Sequence, residues 1–167
     1  MKGIMFNTKY GLEQAVLDET KTRTWRADKE PRYKIGEIVA IKQSYNDVLQ
    51  YHRDNNNVTY QQRIIAYYSG EKGWRNKMFT RNEEMPHKIK ITGIKQCRLQ
   101  DINDLECCAE GIFLYKGDFF EGYTFDGCDG YYSTPQVPFA KLIDKLNGKG
   151  YWESNPLGYA YEFELVK

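Results

Sequence analysis

Two hydrophobic periods run through this chain, and they do not alternate strictly with one another. Apolar residues three and four apart mark helices, and apolar residues two apart mark strands. Leu12, Ala15 and Val16 predict an amphipathic helix near the start. "NDLECCAEG" predicts a short one, with Asn103 and Glu106 spaced as a capping box and Gly111 placed to close it in a left-handed turn. "STPQVPFAKLIDKLNGKG" is the clearest helix: Thr134 as N-cap, Pro135 in the first turn, a stripe of Phe139, Leu142, Ile143 and Leu146, and Gly148 as the stop. Between these lie strands. "TRTWR" and "YKIGEIVAIKQS" are rich in β-branched and aromatic residues, and "HKIKITGIKQCRLQDI" sets Ile89 and Ile91 against lysines. "GYAYEFELVK" sets Tyr161, Phe163 and Leu165 against Glu162 and Glu164, a strand with one wet face. An α+β fold follows, and a small mixed β-barrel with flanking helices suits it better than a doubly wound sheet.

With 167 residues the chain fits one domain over 1–167 and needs no disulfide or metal as a staple. Residues 44 to 87 break the pattern and read as an insertion between two core strands. Within it "RDNNNV" is a polar loop, and "VTYQQRIIAYYSG" favours a strand over a helix. "EGYTFDGCDGYYS" reads as a loop or hairpin. Cys97, Cys107, Cys108 and Cys128 form no C-x-x-C, and His52 and His87 lie far from all four, so neither a metal site nor a cofactor is expected. The N-terminus lacks the apolar run of a signal peptide and no window approaches a membrane span, so a soluble, cytoplasmic protein without membrane contact is expected. The net charge of +1 gives no long-range field to gather nucleic acid, so any RNA contact must be a local patch. The 14 tyrosines supply core rims, or a few stacking platforms.

No phosphate-binding glycine motif, G-x-S-x-G elbow or H-E-x-x-H is present. "ETKTRTWR" remains. If the first helix runs on through Lys21 and the chain then turns over, Lys21 and Thr24 share one side. Arg26, two residues on, then shares the threonine's face of a strand. Such a trio can hold an anion or polarise a carbonyl. The plainer alternative is that Lys21 and Arg23 offset a helix dipole. Glu110, at a helix end where an acid opposes the dipole, is the second candidate.

"LDETKTRTWR" followed by "YKIGEIVAI" resembles the ASCH domain, a PUA-like β-barrel whose hallmark is a G-x-K-T-x-T-x-R-type motif and then a Y-x-x-G-D turn. Lys21, Thr22, Thr24 and Arg26 match, as do Tyr33 and Gly36. Glu19-Thr20 stand where a glycine or small residue is usual, and Glu37 where aspartate is common. Trp74, Met85-Pro86, Leu99, Asp101-Ile102, Glu110-Gly111, Trp152, Asn155-Pro156 and Phe163 resemble the phage and prophage branch. The resemblance covers nearly the whole chain except residues 44 to 70. It implies a pocket for a modified nucleoside or RNA, with Thr22, Arg23, Trp25 and Arg26 meeting the ligand. It also implies an alternative: an amidohydrolase for N4-acetylcytidine-like nucleosides, with Thr24 as nucleophile, Lys21 as base and Glu110 handling the leaving amine's proton. Other members are described as ribonucleases. A third reading is a phage-derived module acting through protein contacts, with Tyr67, Tyr68 and Trp74 as its surface. Oligomeric state is left open.

Overall fold

A computed structural model describes residues 1–167. Seven strands and six α-helices make an α+β fold. Five strands form a mixed sheet in the order β1-β3-β4-β7-β2, and β5 and β6 form a separate two-stranded sheet. The larger sheet is open, with β1 and β2 as its edges, so the expected barrel is not closed. The chain forms two compact units: Met1–Phe6, Ile38–Lys90 and Val166–Lys167 make the first, and Asn7–Glu37 and Ile91–Leu165 make the second.

In the first unit, β1 (Lys2–Ile4) pairs parallel with β3 (Ile38–Ile41), and β3 pairs antiparallel with the start of β4 (Lys88–Arg98). The segment after β3 is helical. α2 (Tyr45–Asp54) begins at Ser44, whose hydroxyl accepts from the Asp47 amide at 3.2 Å, while the Asp47 carboxylate accepts from the Ser44 amide at 3.3 Å. α3 (Val58–Tyr68) corrects the strand expected there. Asn57 caps it by accepting from the Tyr60 amide at 3.3 Å, and Ile64 and Tyr68, four residues apart, are its buried pair. Its β-branched and tyrosine-rich sequence suits a strand locally, but the chain gives it one narrow apolar stripe rather than an alternating face. Three short 3₁₀ turns follow, at Lys72–Trp74, Lys77–Phe79 and Asn82–Glu84. Ala40, Val48, Leu49, Ile64 and Met85 pack with Tyr45 and Tyr68, whose rings stack at 4.0 Å. Of the three aromatics expected at a contact surface, Tyr68 is therefore core and Trp74 packs against it; only Tyr67 is exposed.

In the second unit, α1 (Leu12–Leu17) leads to β2 (Arg23–Arg26), and β2 pairs antiparallel with β7 (Leu157–Leu165). Gly158 is needed there, since a Cβ would fall on the Arg26 carbonyl oxygen and the Trp25 ring. α4 (Asp104–Ala109) has the expected capping box, with Asn103 Oδ1 accepting from the Glu106 amide at 2.9 Å and Glu106 Oε2 from the Asn103 amide at 3.0 Å. Gly111 follows at φ +110°. β5 (Phe113–Lys116) and β6 (Glu121–Thr124) form a hairpin. α5 (Gln136–Asn147) starts from Pro135 as N-cap, one residue later than the Thr134 expected, with no side-chain cap. It buries Phe139, Leu142 and Ile143, each worth about 1.5–3 kcal/mol of removal from water. Leu146, expected in the same stripe, is exposed, and a one-turn helix α6 (Tyr151–Ser154) precedes β7.

Candidate functional site

The site belongs to the second unit and is built at the end of two helices. α1 stops at Leu17, short of Lys21, but the turn after it stays tied to the helix. The Thr20 and Lys21 amides both donate to the Ala15 carbonyl at 2.9 Å. Glu19 takes φ +60° to make the turn, a conformation that glycine adopts more readily. The chain then enters β2, where side chains alternate. Arg23 and Trp25 face one side; Thr24 and Arg26 face the other.

Lys21 is 2% exposed and its ammonium donates to three acceptors: the Arg23 carbonyl at 2.7 Å, the Glu110 carbonyl at 2.6 Å and Glu110 Oε2 at 3.0 Å. An ammonium has three protons, so these bonds can engage all of them. Arg23 Nη1 donates to the other Glu110 oxygen, Oε1, at 2.8 Å, and its Nη2 lies 3.8 Å from Glu106 Oε1. Glu110 is itself buried. It is the C-cap of α4, where a lone carboxylate would oppose the helix dipole. Two cations reverse that, so the cations do sit at a helix C-terminus, but at that of α4 rather than α1. Burial lowers the Lys21 pKa below the ordinary lysine value; the Glu110 charge and hydrogen bond work against that, and Arg26 and Arg23 work with it.

The other face of β2 carries a second group. Thr24 is buried and stands opposite Tyr161, and Arg26 opposite Tyr159. Directly opposed residues share a face, so Tyr159 and Tyr161 join Thr24 and Arg26. The Tyr161 hydroxyl donates to Asp28 Oδ2 and accepts from the Arg32 amide, both at 2.9 Å. Burial pushes its pKa up to about 12. The Tyr33 ring meets Tyr161 edge-on at 5.1 Å. Burial lowers the Arg26 pKa, and the charges of Tyr33, Glu110 and Asp28 oppose that shift.

Of the expected site residues, Lys21, Arg23 and Glu110 thus meet directly, and Thr24 and Arg26 share a face. Trp25 lies on the Arg23 side, buried, its indole N–H donating to the Cys97 carbonyl at 3.3 Å. Thr22 is exposed, with its amide on the Ala109 carbonyl and its own carbonyl accepting from Phe163. It lines a cleft of about 440 Å³ together with Arg23, Thr92, Glu106, Glu162 and Phe163. Sequence reasoning did not place Glu106, Tyr161 or Asp28 at the site. The signal for Tyr161 was the period-two partner of Thr24 in the last strand, which only the register reveals. Neither a family model nor a curated protein nor a solved structure matches the chain. No helix is long and apolar enough to cross a membrane.

Proposed function

We propose that the second unit is an ASCH-type, PUA-like domain whose Lys21–Glu110 cluster and Thr24–Arg26 strand face serve one pocket for a modified nucleoside. The observation that carries this reading is the meeting of Lys21 and Glu110 at 3.0 Å, from positions 89 residues apart, in a buried setting three residues along the chain from Thr24. Three ionised side chains are expensive to bury, and a fold that only needed stability would do as well with apolar ones. Tyr159, half-buried and opposite Arg26, gives the Thr24–Arg26 face a ring that suits a nucleobase. The net charge of +1 supports a nucleoside-sized ligand over a long RNA footprint.

A second reading, hydrolysis of an N4-acylated cytidine, is favoured by one observation, the lowered Lys21 pKa. A lysine shifted in that direction parts with a proton more easily than a free one, and it would act as a base once it leaves the Glu110 ion pair. Thr24 Oγ would then attack the acyl carbonyl as its proton passes to Lys21. The C–N bond breaks, that proton leaves with the amine under the influence of Glu110, and water cleaves the acyl-threonine to carboxylate.

One set of experiments tests both. N4-acetylcytidine is titrated into wild type and Thr24→Ala by calorimetry, and free cytidine is followed by chromatography. Saturable binding that changes little between about 50 and 200 mM salt supports the pocket, because few phosphates are neutralised. Turnover lost in Thr24→Ala adds hydrolysis. Turnover equal in the two proteins removes Thr24 from the chemistry, and no binding at all removes the pocket.

A further inference from the structure

The hairpin of β5 and β6 exposes more apolar surface than any other element of the second unit. Phe119, at its tip, is 98% exposed and Phe120 beside it 52%. Phe113, Leu114, Tyr115 and Tyr131 are exposed as well. Tyr115, Phe120 and Tyr131 nevertheless hold one another, with ring centroids 4.9 to 5.5 Å apart, so the patch is ordered. All four residues of β5 are exposed. One edge of β5 pairs with β6, and β6 is bridged on through Tyr123 to Tyr132; the other edge of β5 pairs with no strand. Two-stranded hairpins are marginal alone, and open edges pair readily.

We propose that β5 pairs antiparallel with β5 of a second copy of this chain, making a four-stranded sheet across a two-fold axis. Three observations favour a second copy over other occupants. First, the strand is self-complementary. An axis at Leu114 sets Leu114 against its own copy and Phe113 against the partner's Tyr115, so leucine meets leucine on one face and aromatic meets aromatic on the other. Second, the area is sufficient. At about 150–250 Å² per aromatic side chain, the exposed parts of these six residues come to roughly 600 Å² per copy, close to the ~800 Å² per partner of a standard interface. Third, the charge is wrong for nucleic acid. Asp118 and Glu121 outnumber Lys116 around the tip, which repels phosphate, while a chain of net charge +1 does not repel its own copy.

Light scattering after size exclusion should give twice the 19.7 kDa of one chain for wild type. Phe119→Asp should give the single mass with unchanged circular dichroism, since the side chain touches almost nothing within its own chain. Opposed residues lie about 4.5–5.5 Å apart at Cα, within the span of a disulfide. Phe113→Cys and Tyr115→Cys proteins, mixed and oxidised, should therefore cross-link, and much less when each is oxidised alone. A monomeric wild type, a dimer that survives Phe119→Asp, or the absence of the mixed cross-link each overturns the proposal.

Discussion

At the scale of single residues, Glu110 has the most to lose. Its two oxygens each take a different cation, Oε2 from Lys21 and Oε1 from Arg23. Removing one partner of a buried ionic cluster leaves charge without compensation, which costs about 3–5 kcal/mol. Glu110→Ala should destabilise the protein by that amount in urea titration. Adding Lys21→Met should cost less than the sum of the two single changes, because one of the orphaned cations is gone. If the effects add fully, the pair is not coupled and the cluster is not a unit. Much of this site was legible in residue types alone: a lysine, two threonines and two arginines in six positions, and an acid set against a helix dipole. The pairing of Arg23 with Glu110 was not. A strand's alternation tells which residues share a face, but not which face meets a helix 87 residues later.

At the scale of elements, local chemistry decided most boundaries, and packing decided the rest. The Asn103–Glu106 box was readable because both members lie within one turn and satisfy backbone amides whatever surrounds them. It also fixes the start of the helix that presents Glu110. Asn103→Ala should therefore cost about 1 kcal/mol in chemical denaturation, and, on the proposed function, it should weaken nucleoside binding more than a surface change of equal cost elsewhere in the unit. α3 was misread because valine, threonine, isoleucine and tyrosine favour strands, and the deciding fact, a partner surface for Ile64 and Tyr68 only, lies outside the segment. Pro135 displaced Thr134 as N-cap without any side-chain bond. The β5 strand carried no alternating signal, since both of its faces are exposed.

At the scale of the whole molecule, the sequence order of the units matters more than their composition. The second unit is written in two pieces, Asn7–Glu37 and Ile91–Leu165, with Ile38–Lys90 between them. The break is narrow. The Gly36 amide donates to the Ile91 carbonyl at 2.7 Å, and the Ile91 amide to the Glu37 carbonyl at 3.0 Å. A chain from Asn7 to Leu165, with Ile38–Lys90 replaced by a two- or three-residue Gly-rich turn, should fold cooperatively and, on the proposed function, bind N4-acetylcytidine as the full chain does. A broad, uncooperative melt from that shortened chain would show that the second unit needs the first.

Those two hydrogen bonds also bear on how such a gene can change. Where a polypeptide departs and comes back through neighbouring peptide groups, whatever is spliced between them disturbs neither Lys21 nor Glu110. A passage between those peptide groups can then be lengthened, exchanged or removed while the Lys21–Glu110 ion pair stays in place.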